Sequence, residues 1–364
     1  MSERYPAPRV ESVLPYLASA TRSVLLLAFS ASLAFPLATS AQELSTLSTT
    51  WTVMIVLPAR VVAGQPATLA VLGVDGRLAS GVTVDLGADQ HVTTDQTGRA
   101  SFTVAPSARV LLARASGTSA AALVDPALAA QSQRAPSVAP VVSLREPFSI
   151  CGTGLRGDAD ADRVRINGQP ALAMAASPEC LAVFPGPNSE IGAVQVSVET
   201  PGASWTASTT LVELDSEFPK PALLPNKKGQ LTVRVRGSDQ PLRIFVENQT
   251  PGILRFLRGD TQELLTSGGL QNLAAVEVQA IRSGDFSFDA RLLPAPDADA
   301  ARRYLEAAQS LAPENVQHEI GRLANQLSRH PSDFKNVRRE LDQIRISTFA
   351  GDFRTLLDAA LAAL

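Results

Sequence analysis

The residues able to do chemistry are few and widely spaced along the 364-residue chain. There are three histidines, His91, His318 and His330, and two cysteines, Cys151 and Cys180. Such a scattered set does not make a structural zinc site, which takes four thiolate or imidazole ligands. Gly152-Thr-Gly154-Leu-Arg-Gly157 matches the dinucleotide fingerprint G-x-G-x-x-G. That fingerprint works only where a helix N-terminus follows and meets the pyrophosphate. Here Asp158-Ala-Asp160-Ala-Asp162 follows, and three carboxylates repel a phosphate. No cofactor is expected. The same aspartates invite a calcium reading through Asp158, Asp160 and Asp162. An EF-hand loop, however, places Gly sixth and Glu twelfth, where this chain has Arg163 and Gln169. A calcium loop and a plain solvated turn both stay open. Ser332-Asp-Phe-Lys335 fits S-x-x-K but lacks the S-D-N and K-T-G partners, and no G-x-S-x-G elbow occurs. Ser332 reads instead as a helix cap, and the histidines as surface residues. No catalytic set is expected.

The compartment is read from the first 41 residues. Arg4, Arg9 and Arg22 precede the apolar run Ser23–Leu37, and Thr39-Ser40-Ala41 supplies the small residues of an exit site. Charged start, apolar middle and small-residue end make a secretory signal, with cleavage expected between Ala41 and Gln42. An uncleaved anchor is the rival, although the run is shorter than the ~20 residues a spanning helix needs. In an oxidising compartment Cys151 and Cys180 are expected to pair, with two buried thiols as the alternative. The formal net charge is −3, and losing Arg4, Arg9 and Arg22 with Glu3 and Glu11 barely alters it. No basic footprint for nucleic acid results.

What must position any site is mainly β. Residues 42–125 hold short β-branched runs at about ten-residue spacing, parted by Gly, Asp and Pro, as in an antiparallel sandwich. Within them Thr94-Asp95-Gln-Thr-Gly98-Arg-Ala-Ser-Phe102-Thr-Val104 sets a tight turn before alternating Phe102 and Val104. With Ala63-Gly64-Gln-Pro-Ala-Thr-Leu69, this hairpin resembles bacterial immunoglobulin-like and carboxypeptidase-regulatory-like domains. Residues 126–140, small and proline-rich, read as a linker. From 141 to 214, Phe148-Ser-Ile-Cys-Gly-Thr-Gly-Leu155, Arg163-Val-Arg-Ile-Asn-Gly168 and Gly192-Ala-Val-Gln-Val-Ser-Val-Glu199 follow one another. This order resembles the IPT/TIG domain, which implies a second immunoglobulin-like sandwich. The cysteine pair departs from the commonest members of that family.

Residues 219–293 alternate again, in Gln230–Arg236, Pro241–Glu247, Ala275–Ile281 and Asp285–Leu292, and predict a third small β domain. After Pro294 the period changes. Val316, Ile320, Leu323 and Leu327 recur at helical spacing, as do Phe334, Val337, Leu341 and Ile344. With helices near 298–311 and 351–363, residues 296–364 form a helical tail. Its apolar stripes must pack on each other, on the third β domain, or on a partner.

The expected class is therefore tandem immunoglobulin-like β-sandwiches, a third small β domain and a C-terminal α-helical tail. Exposed aromatics for stacking on glycans are scarce. Trp51 and Trp205 read as sandwich core or edge residues, and Tyr5 and Tyr16 leave with the signal. The expected role is non-enzymatic: structural, adhesive or protein-binding at the cell envelope. The alternative is an accessory subunit of a periplasmic enzyme or envelope complex, docking through the helical tail. Either way the partner is a protein or cell-surface component, not nucleic acid.

Overall fold

Two-residue alternation builds the sheets, and a computed structural model describes them over residues 53–87, 89–127, 135–218 and 223–364. The segment expected as a secretory signal and Trp51 lie outside the described residues. The first sandwich runs β1 (Met54–Val56), β2 (Arg60–Val62), β3 (Pro66–Leu72), β4 (Thr83–Asp85), β5 (His91–Thr93), β6 (Arg99–Thr103), β7 (Val110–Ala115) and β8 (Thr118–Asp125). β1, β3 and β6 pair antiparallel as one sheet, and β2-β8-β7-β4-β5 form the other. The chain crosses between sheets from β1 to β2, and β2 lies parallel on β8. This is an immunoglobulin-like arrangement. Leu69, Val71, Phe102, Leu111 and Ala113 fill the space between the sheets. The hairpin before β6 is held as its sequence requires. Asp95 Oδ1 accepts from the amides of Thr97 (2.8 Å) and Arg99 (3.2 Å), and Gly98 takes φ +74°.

The second sandwich repeats the device. Its strands are β9 (Ser137–Val138), β10 (Val141–Ser143), β11 (Phe148–Cys151), β12 (Arg163–Ile166), β13 (Gln169–Ala176), β14 (Cys180–Phe184), β15 (Gly192–Thr200) and β16 (Ala203–Glu217). β9 pairs β11, and β10 then crosses over to lie parallel on β16. Part of the segment expected as a linker is thus the edge strand β9. β13 starts against β12 and ends against β14, so one strand serves both sheets.

β16 does the same on a larger scale. Its first half pairs β15, and its last five residues, Glu213–Glu217, pair β17 (Lys228–Arg236) of the third sandwich. β18 (Arg243–Asn248), β19 (Leu254–Phe256), β20 (Thr261–Leu265), β21 (Leu273–Ala280) and β22 (Phe288–Leu292) complete it, as sheets β16-β17-β21-β19 and β20-β18-β22. The four helices are α1 (Ala298–Leu311), α2 (Glu314–Arg329), α3 (Phe334–Ile346) and α4 (Asp352–Ala363). Between α2 and α3 a 3-10 turn spans Pro331–Asp333, so Asp333, not Ser332, stands at the N-cap of α3. Pro331 fixes that turn and moves the helix start beyond Ser332.

The sandwiches are not beads on a string. The outer face of β1 and β3 packs Val56, Ala70 and Leu72 against Met174, Ala175 and Ala182 of the second sandwich. That is why β3 is buried on both faces after Pro66. Arg99 crosses the seam, 9% exposed, donating to the carbonyls of Ala173 (2.7 Å) and Met174 (3.2 Å) and pairing with Asp160 (2.9 Å). Backbones meet there too. A Cβ on Gly157 would stand 1.9 Å from the Pro66 carbonyl oxygen. Gly157→Ala must therefore push the two sandwiches apart. We expect it to cost about 1–3 kcal/mol in chemical denaturation, the range of an overpacked contact. Unchanged stability would mean the seam yields freely.

The tail closes the assembly. Leu305, Ile320, Leu323, Val337, Leu341, Leu356 and Leu357 form one helical core, which takes in Leu123 of β8 and packs on Val110 and Leu112. Arg303 donates to Asp125 (2.6 Å), Arg60 to Asp297 (3.4 Å), and Arg114 pairs with Asp352. On its far side α3 lies on the outer face of β18 and β20. There Thr261 donates to Asp342 (2.7 Å), and Arg345 pairs with Glu247 (3.4 Å). One helical layer thus joins the first sandwich to the third.

Candidate functional site

The motif residues do structural work. Cys151 and Cys180 are register partners on β11 and β14 and form a disulfide. Gly152 lies against Pro136, and Gly154 turns the chain at φ +91°. With Gly157 at the seam, all three glycines of the fingerprint are spent on packing and turning. The three aspartates do not gather. Asp158 Oδ1 accepts from the Asp160 amide (3.0 Å), Asp160 pairs with Arg99, and Asp162 Oδ2 accepts from the Arg156 amide (3.0 Å). Among the described residues no set of three or more His, Cys, Asp or Glu side chains stands in metal-binding positions. Asp162 is 4% exposed, and burial pushes its carboxyl up to about 6. His91 Nδ1 stands 3.9 Å from Asp85 Oδ1, while His318 and His330 are exposed on and after α2. Trp205 is half-buried against the core of the second sandwich. Ser332 and Lys335 lie at the start of α3 on the surface side of the tail.

Two groups with shifted pKa values, Glu146 and Arg338, lie where the second and third sandwiches and α3 converge. Glu146 comes from the β10–β11 loop, Asp289 and Arg291 from the outward positions of β22. Glu146 is half-buried, and burial first, then the Asp289 charge, push its carboxyl up to about 7 against the opposing pull of Arg291. Arg291 stacks on Phe245 at 4.7 Å, and its Nε is buried without a partner among the described residues. Arg338 of α3 comes over the same ring at 5.5 Å. Arg338 Nε stands 3.3 Å from Glu263, which also accepts from Arg243 Nε (2.7 Å). Burial holds the Arg338 guanidinium below the usual arginine range, with Arg243 and Arg291 adding to the effect.

None of these groups is paired as nucleophile and base. They form a charged cluster at the meeting of three bodies, with one carboxyl pushed up to about 7. The sequence hides it. Asp289 and Arg291 alternate with Phe288, Ala290 and Leu292, which looks like a solvated strand face. The only legible hint is Arg338 and Arg345, seven apart with Leu341 between them, on the buried side of α3.

No family model matches the chain, and no curated protein matches it in sequence. Among solved structures, the plexin A4 full extracellular region aligns over 70% of this chain and 24% of its own, at 12% identity and TM-score 0.26. The Bacteroides ovatus mixed-linkage glucan utilization locus protein SGBP-B, solved with a mixed-linkage heptasaccharide, aligns over 65% and 72%, at 12% and 0.22. Surface layer protein SbsC, domains 1–6, aligns over 67% and 39%, at 12% and 0.16. The chain thus spans about a quarter of the plexin region. Superpositions this loose carry no argument, and the immunoglobulin-like fold rests on the strand order and register.

Two carboxyls, Glu146 in the charged cluster and Asp162 in the β11–β12 loop, give the fold a pH signature. Glu146 goes from a usual 4.5 to about 7 on folding, and Asp162 from 3.8 to about 6. Both folded carboxyls hold their protons longer than in the unfolded chain. Stability is therefore fully present below the unfolded values and is lost as pH rises through the folded ones. Asp85, Asp95 and Asp125 are lowered, so their contributions change only below 3.8. We expect unfolding free energy to fall by about 2–3 kcal/mol between pH 4.5 and 7.5, allowing for the solvent contact of Glu146. Urea midpoints across that range measure it. Glu146→Gln should flatten the upper half of the slope, and a rise in stability with pH would refute the assignment.

Proposed function

We propose that this chain is an exported, non-catalytic structural or binding protein of the cell envelope, built as a single stiff body. Three modules (42–125, 141–214, 219–293) and the helical layer 296–364 make its units. The observation that carries this reading is the double attachment of the helices. They take Leu123 of the first sandwich into their own core and pair through Arg345 with Glu247 of the third. A hinged string would leave the helices free. Here they fix the distance between the first and third sandwiches, so outer sheet edges such as β5 and β19 are presented in a constant geometry. Sheet edges are a common contact surface for such folds.

Two measurements test it. Fractionation with mass spectrometry should find a mature chain beginning at Gln42 outside the cytosol, and a cytosolic chain retaining residues 1–41 overturns the export reading. Small-angle scattering of the mature chain should give one compact profile that does not change with salt, and a spread of extended conformers overturns the stiff body. A truncation lacking 296–364 cannot assign partner binding to the helices, because it also uncovers Val110, Leu112 and Leu123.

The accessory-subunit reading keeps one favourable feature. Ile346 and Phe349, 64% and 94% exposed, project at the α3–α4 turn as the tail's apolar contact to offer.

A further inference from the structure

We propose that the cavity between the end of α1 and the outward face of α2 binds a small polyhydroxylated anion, a sugar acid or sugar phosphate. The cavity holds about 500 Å³, within the size range of small-ligand clefts. His318, Arg322, Asn325 and Arg329 line it at intervals of four, three and four residues, which puts them on one face of α2. Gln309 of α1, Gln326 and His330 also line it. The lining is cations, imidazoles and side-chain amides, with no carboxylate among them. Gln309 reaches across because position 321 is glycine: a Cβ there would stand 2.5 Å from its Nε2.

The charges are not all spent. Arg322 pairs with Glu340 and approaches Glu319. Gln326 donates to Asp333 (2.5 Å), and Asn325 to the Gly321 carbonyl (2.9 Å). Arg329 makes no ion pair among the described residues and is exposed. Its place in the last turn of α2 complements the carbonyl end of the helix. That role needs one cation. It does not call for an open groove lined by two imidazoles and three amides beside it. An anion placed there gains the free guanidinium, while the amides donate to and accept from hydroxyls. The helix carbonyl end opposes the anion, so the affinity is modest and rests on Arg329.

This inference rests on the reading of the chain as a binding protein and names a ligand class for it. Calorimetric titration of the mature chain with glucuronate, glucose 6-phosphate, glucose and inorganic phosphate tests it. Both charged sugars should bind about tenfold more tightly than glucose and than phosphate, and should weaken in higher salt. Arg329→Gln should lower that affinity about tenfold, while Arg302→Gln on α1 leaves it unchanged. Glucose binding as tightly as the charged sugars overturns the anion, and phosphate binding as tightly overturns the sugar. No saturation by about 50 mM, or an unaffected Arg329→Gln, overturns the site. Failure here leaves the fractionation and scattering results standing, so the two readings fail separately.

Discussion

Replacing Arg345 by alanine is expected to cost about 1–3 kcal/mol, the loss of buried charge-assisted hydrogen bonds to carboxylates that keep some solvent contact. Arg345 is 7% exposed and reaches three carboxylates from three directions. Nε donates to Asp342 at 3.0 Å, Nη1 to Asp358 at 3.3 Å and Nη2 to Glu247 at 3.4 Å. Burial pulls its pKa down, but the charges of Glu247, Asp342 and Asp358 outweigh burial and hold it up. Truncation leaves Glu247 facing α3 with no cation, while Asp342 keeps the Thr261 hydroxyl and Asp358 keeps Arg354. Arg302→Ala is the control. Arg302 bridges Asp299 and Glu306 on the surface of α1, and its loss should stay below about 1 kcal/mol. Guanidinium denaturation of both variants decides it. Similar small losses would show that Arg345 is not what seats the helices on the third sandwich.

The disulfide is the second strong expectation. Cys151 and Cys180 close a loop of 29-residue separation, for which the chain-entropy estimate gives roughly 3.5 kcal/mol. Cys151→Ala with Cys180→Ala should lower the unfolding free energy by about that amount. The loss should centre on the second sandwich and its seam with the first. The Cys180 amide donates to Ser177 Oγ (2.9 Å), which donates to the Arg60 carbonyl of the first sandwich (2.6 Å). Cys180 is fully buried and Cys151 half-buried, so a mild reductant should act far more slowly on the native bond than once the sandwich opens. Mass spectrometry after alkylation, with and without denaturant, reads this. Rapid reduction of the native protein would mean the seam opens far more readily than its packing implies.

Much of the framework was legible because it rests on local periodicity. Val194, Val196 and Val198 alternate with polar residues and point into the second core, and the run from Val316 to Leu327 has helical spacing. The expected helices 298–311 and 351–363 fall within a residue of α1 and α4. Short strands were harder. β2 and β5 have three residues each, too few for a period to declare itself. Long-range partners were invisible. Arg99 looks like any turn-flanking arginine until Ala173 and Met174 are brought beside it. The crossing of β16 from the second sandwich into the third defeated a reading that stops at Leu214, because nothing in Leu211–Glu217 breaks the strand. The seam around Glu146 was missed for the same reason. Its pKa is set by burial and by Asp289, 143 positions away in sequence, and neither follows from neighbours.

The attachment of the helices to the first sandwich has a consequence for the order in which the protein folds. Arg60 and Asp297 are 237 positions apart, and Arg114 and Asp352 are 238 apart. Contacts that remote repay their loop-closure entropy only after everything between them has condensed. Until then Val110, Leu112 and Leu123 are a bare apolar strip on a sandwich that is otherwise finished. A chain whose helices have not yet docked therefore bares Val110, Leu112 and Leu123 to solvent.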